Sequence, residues 1–295
     1  FNEYMWMKKQ FLGFILVFIF ISASFTSFVG SQSLLEADAS TSSPDFVDNP
    51  VEYRALLVGV ETYPIYKLPF SVDQLEGFET TLLNGGNWKE ENIVTVKNDR
   101  ATKNVIQFRL NEFKEVADDN DITLFYFIGH GGKNRTNEYI RPIDDVIYDV
   151  ELNQYLTNLS GKIIIVLDTC YSGGFIEELQ GDNRVIVTAS AKDEVTYQVA
   201  DLRSGMFGYF FNMSFSWLSK NVEHSYFYTK FFMWLYGMKL SQDHDETIAV
   251  HPQIADGIQG PTRLIRRHRY INKIGELLSK MIEVHHTNQL WKMSS

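Results

Sequence analysis

Between positions 53 and 188 the chain carries five short apolar runs, each followed by glycine, proline or polar residues. They are Tyr53–Val60 (YRALLVGV), Asn92–Val96, Ile122–Ile128 (ITLFYFI), Ile163–Leu167 and Arg184–Thr188 (RVIVT). Their β-branched and aromatic content predicts strands. Continuous rather than alternating hydrophobicity predicts strands buried on both faces, as in a parallel sheet. The intervening segments change period. Asp73–Leu83 sets Leu75, Phe78, Leu82 and Leu83 at helical spacing and stops at Asn84-Gly85-Gly86. Thr102–Val116 opens on Thr102 as a helix cap, and Asp149–Leu159 puts Leu152, Tyr155, Leu156 and Leu159 on one face. Phe207–Leu218 and Phe227–Leu240 read as two further helices. Alternating strand and helix predicts an α/β fold with right-handed crossovers.

The two ends of the chain follow a different pattern. Met7-Lys8-Lys9 precedes Phe11–Ile21, apolar apart from Gly13, and then small and polar residues with Val29-Gly30-Ser31 as a cleavage context. This predicts a signal peptide over residues 1–31 or, since Phe11–Val29 is long enough to span a bilayer, an N-terminal membrane anchor. Either implies export to the cell envelope or beyond, with membrane association through this segment. Residues 32–52 read as a linker, 53–265 as the folded domain and 266–295 as an amphipathic helix and tail. That helix would carry Ile271, Ile274, Leu278, Met281 and Ile282. A net charge of −10 argues against nucleic acid as a partner. The single cysteine, Cys170, excludes an intramolecular disulfide.

Two of the buried runs deliver reactive side chains followed by glycines. Ile122–Ile128 leads into Gly129-His130-Gly131-Gly132, and Ile163–Leu167 into Asp168-Thr169-Cys170-Tyr171-Ser172-Gly173-Gly174. Open parallel sheets bind ligands outside the carboxyl ends of their strands. Cys170 therefore reads either as a nucleophile paired with His130 or as a buried structural thiol. A free thiol is mostly protonated at neutral pH, and an adjacent imidazole can take its proton. Glycines let backbone N–H groups approach closely, so the amides of Gly131 and Cys170 are candidate donors to an oxyanion. The chemistry expected is acyl transfer. A phosphatase loop would need an arginine where Ile176 stands, and one cysteine gives neither a redox pair nor zinc-ligand spacing. No metal or cofactor is predicted.

The stretches Phe127–Gly132 and Asp168–Gly174 resemble the two catalytic motifs of the caspase-like cysteine peptidases. The resemblance is to the metacaspase and prokaryotic caspase-like group of the caspase–legumain clan, and it runs from Tyr53 to Arg263. It includes Val187-Thr188-Ala189-Ser190 and His251-Pro252-Gln253, and 40 residues separate His130 from Cys170. It implies a three-layer sandwich, with a mostly parallel central sheet of about six strands flanked by helices. It also implies a cysteine endopeptidase that uses a His130/Cys170 dyad on protein or peptide substrates. In metacaspases an aspartate two residues before the cysteine lines the specificity pocket; here that is Asp168. Asp73 matches a second acidic position, although Phe70-Ser71-Val72 replace the residues usual before it. Ser190 is the remaining substrate-binding candidate. Two such carboxylates imply cleavage after Arg or Lys. Asp144, Asp145 and Asp149 match the family's calcium site only in part, so calcium activation is not supported. Legumain-like cleavage after Asn, transpeptidation and a non-catalytic binding domain remain alternatives.

Overall fold

The computed structural model describes residues 49–244, 247–267 and 289–294. The expected export segment and the tail helix with Ile271 to Ile282 lie outside the described residues. Six strands form the central sheet: β1 (Tyr53–Gly59), β2 (Ile93–Lys97), β3 (Ile122–Ile128), β7 (Lys162–Asp168), β8 (Arg184–Thr188) and β11 (Gln253–Asp256). Their order is β11-β8-β7-β3-β1-β2, and only the β11–β8 pair is antiparallel. All seven residues of β3 are buried, as are Ile163 to Asp168 of β7. The uninterrupted apolar runs have that cause: helices cover both faces.

Crossover direction assigns those faces. From β1 the chain steps outward to β2 through α1 (Ser71–Asn84). It then reverses over β1 to β3 through α2 (Lys103–Val116). Right-handed crossovers in opposite directions put these two helices on opposite faces. α3 (Asp149–Leu156) and α4 (Phe175–Leu179) continue on the α2 side. α5 (Met206–Trp217) joins α1, and α6 (Val222–His244) packs on α5. Thr102 caps α2, accepting a hydrogen bond from the Val105 amide at 3.2 Å. Beneath α1 and α5, Phe78 meets Tyr126 edge-on at 4.9 Å and lies in a stack with Phe211 and Phe207. The layered α/β sandwich is therefore present.

Two small antiparallel sheets sit at the carboxyl rim. One is β4 (Gly131–Lys133), β5 (Glu138–Ile140) and β6 (Ile147–Tyr148), beginning immediately after His130. The other has the order β10 (Ser204–Gly205), β9 (Tyr197–Val199), β12 (Leu290–Lys292). None of these short strands shows a hydrophobic period. No helix among the described residues is long and apolar enough to cross a membrane.

Candidate active site

β3 and β7 run parallel in a register that sets Ile128 opposite Asp168. His130 and Cys170 each lie two residues past that rung, so both leave the sheet at one rim. A Cβ on Gly131 would overlap the Thr169 hydroxyl and come within 2.7 Å of the Cys170 carbonyl, so only glycine fits between the loops. Two non-glycine residues in the left-handed region flank the pair: Tyr66 at φ 58° and Tyr171 at φ 60°. Backbone of that kind persists only where its surroundings fix it.

The surroundings of His130 define its tautomer. Nε2 meets the Tyr66 carbonyl. A carbonyl only accepts, so in the neutral ring Nε2 carries the hydrogen and Nδ1 keeps its lone pair. Nδ1 is buried without a hydrogen-bond partner. The His130 amide donates to the Tyr63 hydroxyl at 3.0 Å, which donates onward to the Arg141 carbonyl at 2.5 Å. The Tyr63 ring lies 4.4 Å from the imidazole, centroid to centroid. Burial lowers the pKa of His130, partly offset by the Tyr66 carbonyl and by the Met293 backbone, which lies near the ring outside hydrogen-bond geometry.

Cys170 is fully buried. Its Sγ accepts from the Thr196 amide at 3.1 Å and faces the Thr196 carbonyl at 3.6 Å. Burial pushes the thiol pKa up to about 12, although backbone groups of Thr196 and Met293 and the charge of Lys292 act the other way. Thiol and imidazole are therefore both neutral in this state. The Gly131 amide, one of the two candidate oxyanion donors, donates to the Met293 carbonyl at 3.0 Å.

The other candidate residues are placed as follows. Asp168 is fully buried at the end of β7. Its Oδ2 accepts from Gln74 Nε2 at 2.6 Å, whereas its Oδ1 is buried without a partner. Desolvation pushes its carboxyl up to about 7, against hydrogen bonds from Gln74, the Gly208 amide and Tyr126. Asp73 lies half-exposed on α1 and pairs with Arg203 at 2.7 Å. Its neighbour on α1, Gln74, is the residue that reaches Asp168. Ser190 is fully buried under the Cys170 loop, donating to the Thr169 carbonyl at 3.2 Å and accepting from the Ser172 amide at 3.3 Å. It holds the loop. Asp144 accepts from the Lys103 amide, Asp145 faces the Lys103 ammonium at 3.8 Å, and Asp149 accepts from Asn137. Among the described residues no group of three or more His, Cys, Asp or Glu could hold a metal ion.

Sequence reading missed Tyr63, Tyr66, Gln74, Thr196 and Gln198. Tyr66 and Thr196 act through backbone atoms, which no side-chain pattern reports. Gln198 is fully buried and joins β9 to the start of α1, accepting from the Phe70 amide at 3.1 Å and donating to Ser71 Oγ at 2.9 Å.

A mostly parallel six-stranded sheet with helices on both faces is the architecture of the caspase-like class. Residues 101–248, half of the chain, match the Peptidase C13 family, and the chain belongs to it. This is a cysteine-peptidase family of the legumain and caspase-like clan. Among solved structures the fold is similar to that of protein GSU0716 from Geobacter sulfurreducens. The two are 11% identical with a TM-score of 0.54, over 74% of this chain and 97% of that one. That likeness speaks for the fold alone. No curated protein matches the chain.

Proposed function

We propose that the protein is a cysteine endopeptidase in which Cys170 is the nucleophile and His130 the general base. The observation that carries this reading is the unshared Nδ1 of a ring whose other nitrogen is committed to the Tyr66 carbonyl, at the same rim as the thiol. As Sγ attacks a peptide carbonyl, Nδ1 takes the thiol proton. The amides of Gly131 and Cys170 hold the oxyanion. The C–N bond then breaks as the imidazolium returns the proton to the leaving amine. Water next attacks the thioester, giving its proton to the imidazole and releasing the carboxylic acid and the thiol.

A basic residue before the scissile bond is supported by Asp168 alone, whose buried Oδ1 would gain a partner from an ammonium or guanidinium group. Asp73 is paired with Arg203, so a basic substrate residue would meet it only in competition with that ion pair. The test is hydrolysis of peptides ending in Arg, Lys, Asn, Asp or Met before a fluorogenic group. Arg and Lys peptides are expected to react fastest, with Cys170→Ala and His130→Ala each at least about 10³-fold slower. Equal rates for wild type and Cys170→Ala would remove the thiol from the mechanism. Fastest cleavage after Asn would leave the dyad and overturn the basic pocket.

A further inference from the structure

Residues 289–294 lie along the edge of β9 and reach the His130 and Cys170 loops, as a peptide would. Leu290, Trp291 and Lys292 pair antiparallel with Val199, Gln198 and Tyr197 of β9, and the Ala200 amide donates to the Gln289 carbonyl at 3.1 Å. One step further on, the Met293 amide donates to the Thr196 carbonyl at 3.1 Å, and its own carbonyl accepts from Gly131. Ser294 forms a parallel bridge with Gly131, and Met293 is fully buried. Strand addition to a sheet edge gives affinity through the main chain and specificity through alternate side chains. Here the alternate residues are Met293 and Trp291. The Trp291 ring meets Phe70 edge-on at 5.3 Å, and the Arg203 guanidinium lies 5.9 Å from the Phe70 centroid, itself paired with Asp73. Gln198, opposite Trp291, fixes the backbone of Phe70 and the side chain of Ser71. The aromatic contact is thus built into the wall of the cleft.

We propose that residues 290–294 are an internal peptide ligand in substrate register, and that Phe70 is a specificity-determining residue selecting an aromatic side chain two positions before the reacting carbonyl. The substrate class is then an extended peptide with Trp, Tyr or Phe at that position. The register rests on the cysteine-peptidase reading, because it takes the Gly131 amide as the oxyanion donor; occupation of the cleft does not.

The test uses the full chain and two readouts. The first is alkylation of Cys170 by iodoacetamide, followed by intact mass, in wild type, Trp291→Ala, Phe70→Ala and the double variant. Trp291→Ala and Phe70→Ala should each label about tenfold faster than wild type, and the double variant little faster than either, because each removes the same contact. Labelling of both single variants at the wild-type rate overturns the proposal. Trp291 is partly exposed, so its variant remains informative if Phe70→Ala folds poorly. The second readout compares hydrolysis of Leu-Trp-Lys-Met and Leu-Ala-Lys-Met reporters by Trp291→Ala. The Trp peptide should have a kcat/KM about tenfold higher, and adding Phe70→Ala should erase that ratio. Equal kcat/KM for the two peptides overturns the assignment of Phe70. Fast labelling with no hydrolysis of either peptide, nor of the Arg and Lys peptides above, supports the internal ligand and overturns the peptidase mechanism instead.

Discussion

The two sheets that meet at Cys170 are built on opposite principles. β3 and β7 are seven-residue strands buried along nearly their whole length, locked by helices on both faces. β9, β10 and β12 contribute three, two and three residues, and two of the three strands carry partly exposed positions. A pair as short as β9 and β10 is marginal until a third strand is added. The difference separates two tasks. The groups proposed to react, His130 and Cys170, ride on the part of the fold that cannot move without losing its core. The recognition edge is left short and open to whichever extended segment completes it. In this structure that segment is the chain's own residues 290–292.

The largest expected effect breaks the rigid side. Gly131→Ala would drive a Cβ into the Thr169 hydroxyl and the Cys170 carbonyl, displacing the amide meant for the oxyanion. Turnover should fall about 10²–10³-fold in steady-state assays, while a melting curve checks that the sheet persists.

The buried carboxyl of Asp168 should leave its mark on stability. Its folded pKa near 7 lies above the ordinary carboxylate value, so between pH 4 and 7 the folded state holds a proton that the unfolded chain has released. Its contribution is therefore fully present below pH 4 and is lost as pH rises through 7. Denaturant unfolding of wild type and Asp168→Asn at pH 4 and pH 8 should show the variant gaining relative stability at the higher pH, on the order of a few kcal/mol.

Smaller effects sharpen the recognition side. Gln198→Leu strips partners from the Phe70 amide and Ser71 Oγ, and should cost about 1–3 kcal/mol of unfolding free energy. It should also raise KM more than it lowers kcat. Asp73→Asn releases Arg203 from an exposed ion pair worth less than about 1 kcal/mol. Its expected effect is a change of twofold or less in the preference for an aromatic residue, read from paired peptide kinetics. A tenfold loss of cleavage after Arg in Asp73→Asn would instead give this carboxylate a direct part in binding the basic residue.

What could be read from the sequence follows the same division. The parallel sheet was legible because burial on both faces forces runs such as ITLFYFI and IIIVL into the chain. That His130 and Cys170 leave the sheet at one rim was legible because adjacent parallel strands carry their ends together. β9, β10 and β12 were not, since short strands are held by backbone pairing and by buried amides such as Gln198 rather than by periodicity. Asp73 was read from its position in a motif, whereas its partner Arg203 lies 130 residues away and only folding brings it near. Thr196 and Tyr66 offer carbonyls that every residue type possesses.

In the proposed mechanism Sγ of Cys170 and the free Nδ1 of His130 form one reacting pair. The most direct measurement is trapping with a Leu-Trp-Lys-Met peptide carrying an acyloxymethyl ketone, in the Trp291→Ala background, followed by peptide mapping. One adduct is expected, on Cys170, forming at least about a hundredfold more slowly when His130 is replaced by alanine. An adduct on any other residue, or labelling of Cys170 at an unchanged rate without the imidazole, would contradict it.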